Sequence, residues 1–373
     1  MPKILQVSTR HNVGGISKLI LELLGDSNFQ QVYATGICEK SEKEYSLGPK
    51  SPFEGGYRLI RVQRLHRSIN FIDDFLALYA LVRIIRREKP DIIHTHMSKA
   101  GLLGRIAAIL SLRKIKSVHS YHGHVFDGYF NKLFAQIIIK LERTLGKFTD
   151  AFVFDGNKTQ LEVNNHGIKP RIIQQVILPG LIKKVVEQKQ DHLSNDNLHI
   201  LVVARIEKIK RLDLVLSVAR ILQRNYPSLV FHITILGDGE LRNSLENQCE
   251  NELLPIKFVG WTDAVSMHYQ EASFLLSTSD SEGTPLTFME AASFGCPIIS
   301  TNVGSVTDLI DDRKTGVLCS DNPEEIAKEV FDLWSNPGLL KEFSQNSLIK
   351  ATNEFTVDKF IDKHSKLFKS LLA

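Results

Sequence analysis

Short apolar runs alternate with segments of helical periodicity along almost the whole chain, and this alternation limits the fold more than any other feature. KILQVST, PDIIHTH and SVHSYH form a first series; LHILVVA, VFHITILG, the LLST run and PIISTN form a second. Apolar runs of this length suit strands buried on both faces, and intervening helices act as crossovers that make neighbouring strands parallel. The polar stretch VEQKQDHLSNDN, residues 186–197, divides the two series and is the linker candidate. The expected fold class is α/β, with two Rossmann-like domains whose parallel sheets face each other across a cleft. An N-terminal domain is expected over 1–185 and a C-terminal domain over 196–356. Ligands of such sheets sit beyond the carboxyl ends of the strands, so the residues there carry the functional reading.

The chain has 373 residues, 43% of them apolar and 24% charged, which suits two packed domains and argues against disorder. No apolar run reaches the ~18 residues of a membrane span, and MPKILQVSTR leads straight into a strand. A cytoplasmic location is expected. Cys38, Cys249, Cys296 and Cys319 form no CxxC pair and are expected to be reduced and structural. The net charge of +4 is unevenly shared. Residues 1–180 hold 26 Lys and Arg against 15 Asp and Glu, whereas 181–373 hold 20 against 27. Basic clusters at 58–67, 83–89 and 113–116 each read singly as solvated faces; together they suggest an anionic partner, either a membrane surface or nucleic acid.

The stretch SEGTPLTFMEAASFGCP, residues 281–297, puts Glu282 and Glu290 into an otherwise almost uncharged segment. Pro285 suits a first helical position, and Gly295 with Pro297 is a stop signal, so a helix is predicted from about Pro285 to Phe294. A strand from Ala272 to Ser277 precedes it. Leu286, Phe288, Met289, Ala291, Ala292 and Phe294 leave that helix little polar face except Glu290. Its N-terminus, at Gly283, Thr284 and Pro285, would suit an anion, phosphate above all. Two carboxylates beside a phosphate would repel it unless they accept hydrogen bonds from neutral donors such as sugar hydroxyls. Glu290 lies roughly 7 to 8 Å along the axis from Pro285 at about 1.5 Å per residue, a spacing that could place one carboxylate at a sugar on each side of a phosphate. The competing reading is a buried glutamate satisfied by an arginine or by backbone.

Four further sites fall at strand ends. Gly14 and Gly15 precede a helix opening near Ser17, without a full GxGxxG. His94 and His96 end one strand, with Ser98 placed to cap the next helix, and His119, His122 and His124 follow; HxH can bind metal, but no comparable carboxylate cluster lies nearby in sequence. Arg205 and Lys210 lie on the loop between a strand ending at Ala204 and an amphipathic helix, a plausible diphosphate clamp. Gly237 and Gly239 make a nucleotide-tolerant turn, with Arg242 where a third glycine would belong. No Asp-x-Asp pair, which a metal-bound diphosphate would want, occurs in the chain.

In this order the pieces TRHNVGGIS, HTHMSKAGLLGRIAA, YHGHVFDGYF, ARIEKIKRLDL, LGDGELR, FVGW and SEGTPLTFMEAASFGCPIISTNVG resemble the retaining glycosyltransferases of the GT-B fold, family four, with the closest likeness to bacterial enzymes of surface-polysaccharide assembly. The Glu282–Glu290 pair in its GTPL context is the most specific element. The resemblance implies that Arg205 and Lys210 hold a donor diphosphate, that Glu290 accepts the nucleotide ribose hydroxyls and that Glu282 lies near the transferred hexose. It implies donor contacts from the backbone of Gly283 to Leu286, His122 beside the anomeric carbon, Gly14 and Gly15 near the diphosphate, and Val259, Gly260 and Trp261 bordering the base. GT-B chains commonly return at the C-terminus, so residues 357–373 are expected to pack on the first domain. One departure is that LIKK, at 181–184, follows Pro179 and Gly180, where family members often carry an acidic residue.

The activity so implied is transfer of a hexose from a nucleoside diphosphate sugar, UDP by family frequency, to an acceptor hydroxyl with retention at the anomeric carbon. No cofactor and no metal are expected. The acceptor is expected to be a lipid-linked or polysaccharide glycan, and the basic first half is expected to rest on an anionic membrane surface rather than on nucleic acid. Three other readings stay open: a nicotinamide oxidoreductase, which would need the missing glycine fingerprint; a metal-dependent hydrolase using His94, His96 and His122; and a non-catalytic module binding a polyanion or nucleotide.

Overall fold

The computed structural model describes residues 1–12, 14–39, 44, 56–123, 132–180 and 197–373. The linker candidate up to residue 196, the LIKK segment and His124 lie outside the described residues. The chain divides into two compact units, Met1–Leu181 with Val357–Ala373, and Ile182–Thr356.

Among the described residues, the first unit runs β1 (Lys3–Ser8), α1 (Gly15–Leu24), β2 (Gln30–Thr35), β3 (Tyr57–Arg61), α2 (Phe71–Glu88), β4 (Ile92–His96), α3 (Ser98–Leu110), β5 (Lys116–Tyr121), α4 (Lys132–Gly146), β6 (Ala151–Phe154), α5 (Asn157–Asn165) and β7 (Ile173–Val176). Its strands form one parallel sheet in the order β3-β2-β1-β4-β5-β6-β7, with Gln6 opposite His94 and His96 opposite Ser120. The order reverses direction between β1 and β4, which makes their carboxyl ends the switch point where doubly wound sheets bind ligands.

The second unit runs β8 (Asn197–Val203), α6 (Leu212–Asn225), β9 (Val230–Leu236), α7 (Arg242–Asn251), β10 (Ile256–Gly260), α8 (Val265–Glu271), β11 (Phe274–Ser277), α9 (Leu286–Ser293), β12 (Ile298–Thr301), β13 (Gly316–Cys319), α10 (Pro323–Trp334) and α11 (Pro337–Glu354). Its parallel sheet has the order β10-β9-β8-β11-β12-β13, with the switch point between β8 and β11. The helix α12 (Val357–Leu372) belongs to the first unit.

The central strands of each sheet are buried on both faces, and those of the first unit bury polar side chains such as Gln6, His94 and His119 as well as apolar ones. Leu198, Ile200 and Val202 of β8 pack with Val215 and Leu222 of α6 and Val330 of α10 in the second unit's core. In the first unit, Phe360, Leu367, Phe368 and Leu371 of α12 join Ile4, Phe29 and Ile92, so the last helix supplies part of that core. Helix α1 opens at Gly15, two residues before Ser17, and two other helix starts differ from the sequence reading. Ser98 is the first helical residue of α3 and no cap, because Met97 takes the cap position at φ 64° and Thr9 Oγ1, from the loop after β1, accepts from Ala100 N instead. Pro285 stands one residue outside α9 in an extended conformation, and Leu286 opens the helix.

Candidate active site

In the second unit, the loops after β8 and β11 are stitched together at the switch point. Thr278 Oγ1 donates to the carbonyls of Lys210 and Arg211, Asp280 N donates to Ile209 O at 2.9 Å, and Arg211 ties Asp280 and Asp213. Arg211 is left-handed, at φ 48°, which turns the chain from the loop into α6. Against this frame Lys210 Nζ donates to Glu282 Oε1 at 2.6 Å, and Ser279 Oγ donates to the same oxygen at 2.6 Å. The two side chains of the ion pair are only 19% and 10% exposed. Arg205 does not join them; its guanidinium reaches Glu207 at 2.6 Å.

Gly304 holds the Glu282 turn from behind. A Cβ there would stand 1.6 Å from Glu282 O, at φ +60°, so only glycine fits, and the next residue, Ser305, donates its N–H to Gly283 O at 3.2 Å. The turn through Gly283, Thr284 and Pro285 then delivers the N-terminus of α9 beside Glu282. Along α9, Phe288, Met289, Ala291 and Ala292 are buried, as their pattern predicts, while Glu290 is half-buried. Its carboxylate accepts from the hydroxyl of the buried Tyr269 at 3.3 Å, and burial together with Glu290 raises that hydroxyl's pKa well above the usual range. A protonated tyrosine is therefore a fixed donor that aims the carboxylate.

Gly237 and Gly239 bring loops of the protein together. A Cβ at Gly237 would fall 2.0 Å from Ala204 O, and one at Gly239 would fall 2.4 Å from Ile206 O. Their N–H groups donate to Gly260 O and to Asp238 Oδ1, so both are used within the chain. Gly260, at φ +86° beside Arg242, follows Val259 at an irregularity in β10, and leaves Trp261 70% exposed on the loop after it.

In the first unit, Gly14 precedes α1 in extended backbone and Gly15 is its first residue. The histidines form a buried polar layer at the carboxyl ends of β4 and β5. His94 Nε2 meets Ser120 Oγ at 2.7 Å, and His119 Nδ1 meets Thr95 Oγ1 at 2.9 Å. His96 lies between Gln6 Oε1 at 2.9 Å and His122 Nε2 at 3.0 Å, and His122 Nδ1 meets Asp155 Oδ2 at 2.7 Å. Burial pushes His94, His96 and His119 well below the usual imidazole range, so these rings are neutral. Among the described residues, no group of three His, Cys, Asp or Glu side chains is placed to hold a metal ion.

The structure thus joins Lys210 to Glu282, and His96 to His122, but leaves Arg205 with its own neighbour. Ser279, Tyr269, Gln6 and Asp155 are absent from the sequence reading. Asp155 is a single carboxylate rather than a cluster; it lies 33 residues beyond His122 in sequence and on the adjacent strand end in space.

Residues 13–177 match the family model described as Glycosyltransferase Family 4, and residues 185–349 match that described as Glycosyl transferases group 1. The chain is 27% identical over its whole length to a UDP-Gal:alpha-D-GlcNAc-diphosphoundecaprenol alpha-1,3-galactosyltransferase of Escherichia coli, covering 97% of that protein. It is 24% identical to the capsular polysaccharide biosynthesis glycosyltransferase CapM of Staphylococcus aureus, over 83% of this chain and 84% of that one. The fold is shared with the crystal structure of Anabaena Alr3699/HepE in complex with UDP, at a TM-score of 0.80 and 15% identity, covering 99% of this chain and all of that one.

Proposed function

The chain belongs to the family-four glycosyltransferases of the GT-B fold, and from that premise we propose that it transfers a hexose from a UDP-sugar to a hydroxyl of a lipid-linked or polysaccharide glycan, with retention at the anomeric carbon. The observation that carries this is the Lys210–Glu282–Ser279 cluster at the N-terminus of α9. A bare glutamate there would repel a diphosphate. Paired with Lys210, Glu282 adds little net negative charge, a carboxylate only accepts and so suits a sugar hydroxyl, and an ammonium with three N–H donors suits phosphate oxygens as well as Glu282.

In this reading Lys210, Arg205 and the backbone of Gly283 to Leu286 stabilise the leaving UDP, and Glu290, aimed by Tyr269, accepts from the ribose hydroxyls. His122 is assigned to the transferred hexose. The rate enhancement comes from positioning and from preorganised charge at the leaving phosphate, with no metal required. The galactosyltransferase relative favours UDP-galactose as donor and a diphosphoundecaprenol-linked sugar as acceptor. Incubation of purified protein with UDP-galactose and that acceptor class, followed by NMR of the product's anomeric proton, tests the proposal. A β-linked product would refute retention, and no transfer with any UDP-hexose would refute the activity.

The membrane surface is part of the same proposal. Among the described residues no helix is long and apolar enough to cross a membrane. Helix α2, however, exposes Phe71, Ile72, Phe75 and Tyr79 in its first half and Arg83, Arg86 and Arg87 in its second. Its first-turn acids are neutralised within the unit, Asp73 by Arg64 and Asp74 by Lys99. Apolar and cationic side chains on one exposed helix suit the interface of an anionic bilayer. Ion pairs engage cations of both clusters, Arg61 with Glu44, Arg64 with Asp73 and Arg87 with Glu88, while Arg86 donates to the carbonyls of Leu110 and Ser111.

A further inference from the structure

Gln6, His96, His122 and Asp155 come from, or directly follow, four neighbouring strands, β1, β4, β5 and β6, and form one hydrogen-bonded row across the carboxyl edge of the sheet at 2.9, 3.0 and 2.7 Å. Gln6, His96 and Asp155 are buried. A carboxylate can only accept, so His122 Nδ1 carries a proton and donates it to Asp155. Gln6 Oε1 accepts from His96 Nε2, so the neutral His96 ring has its lone pair at Nδ1 and accepts there from His122 Nε2. Both nitrogens of His122 are thus spent inside the protein.

We propose that Asp155 is a positioning residue for glycosyl transfer: with His96, itself backed by Gln6, it clamps the His122 ring so that His122 meets the hexose as a fixed group and does not take up the acceptor's proton. A general base needs a lone pair within reach of the proton it removes, and this ring has none to offer. The clamp costs little to maintain, because the partners lie at the ends of paired strands that the sheet already holds in register. The charge-assisted bond to Asp155 is the short one in the row and fixes the ring's orientation. This inference rests on the assignment of His122 to the transferred hexose.

Asp155→Asn tests it. The amide keeps the side chain's shape but offers Nδ1–H either an N–H group or an uncharged oxygen, which weakens the bond and loosens the ring. Turnover should fall by about 10²-fold, the scale of a small misplacement at the reacting centre. UDP affinity should stay within about twofold, giving a kcat effect without a binding effect. In protein labelled with ¹⁵N-histidine, the native chain should show a low-field, slowly exchanging Nδ1 proton that vanishes in both His122→Phe and Asp155→Asn. Native turnover in Asp155→Asn, or UDP affinity falling in step with turnover, would overturn the inference. So would the absence of that proton from the native spectrum. If the native protein transfers no hexose at all, the proposed activity fails, and the proton resonance still decides whether the clamp exists.

Discussion

Lys210→Met removes the cation that neutralises Glu282 while keeping most of the side chain's apolar stem. With Nζ and Oε1 2.6 Å apart, an effective dielectric of about 20 gives an attraction of about 6 kcal/mol. Both groups are largely withdrawn from water, so desolvation offsets most of this and leaves a net coupling of about 2 kcal/mol. Ser279 remains on Glu282 in the variant and limits the damage. A double-mutant cycle over Lys210→Met and Glu282→Gln, read by urea unfolding, should return that coupling of about 2 kcal/mol. The single lysine variant should melt about 4–8 °C lower, as expected for a unit of this size. Turnover should fall by about 10²-fold or more, because the same cation is assigned to the leaving diphosphate. Additivity within about 0.3 kcal/mol would refute the ion pair as a structural element. Unchanged turnover would refute its assignment to the diphosphate, whatever the cycle shows.

Glu290→Gln should weaken UDP binding in calorimetry, whereas Glu282→Ala should lower turnover more than UDP affinity; equal loss of UDP affinity in both would refute the division of labour between the two carboxylates. Arg205→Ala should also lower turnover, and activity should persist in EDTA, a result that a strict Mn²⁺ or Mg²⁺ requirement would contradict. Sedimentation with phosphatidylglycerol vesicles should show binding that weakens toward ~0.5 M salt and is reduced by Arg86→Glu with Arg87→Glu, since each cation near an anionic leaflet contributes roughly 1 kcal/mol; no binding at low salt would leave a soluble acceptor as the better reading. Acid should destabilise the first unit: burial holds His364 at about 4 against 6.5 for the free side chain, so the unfolded chain binds the proton first and stability is lost as pH falls from about 6.5 toward 4. That ring alone accounts for about 3 kcal/mol, with His94, His96 and His119 adding in the same direction, and an unfolding free energy that stays flat between pH 7 and 4.5 would refute it.

The alternation of apolar runs and helices made the two parallel sheets legible, because strands buried on both faces are largely apolar. The strand order within each sheet was not legible, since KILQVST and PDIIHTH carry no mark that they pair with each other. Helix starts were misjudged where a tertiary partner does the capping. Ser98 has the side chain of a cap, but Thr9, from beyond another strand, occupies the position that satisfies Ala100 N. Pro285 fits a first helical position by its φ of −69°, yet its ψ of 115° keeps it in the turn that presents Glu282.

The site divides by the same logic. Glu282 and Glu290 stood out as the two charges of an otherwise almost uncharged segment, Glu290 among helix residues suited to burial, and a charge so placed needs a partner or a ligand to be tolerated. Tyr269 and Asp155 contradict nothing locally. An aromatic in the short helix α8 reads as core, and an aspartate followed by glycine after β6 reads as an ordinary turn before α5. Their work appears only when the sheet brings Asp155 beside His122 and the packing of α8 turns the Tyr269 hydroxyl toward Glu290. Residues that meet a ligand must break the local pattern, because ligand chemistry differs from the chemistry of packing. Residues that hold them in place obey it, because holding is done by the fold, and so they become visible only with the fold in hand.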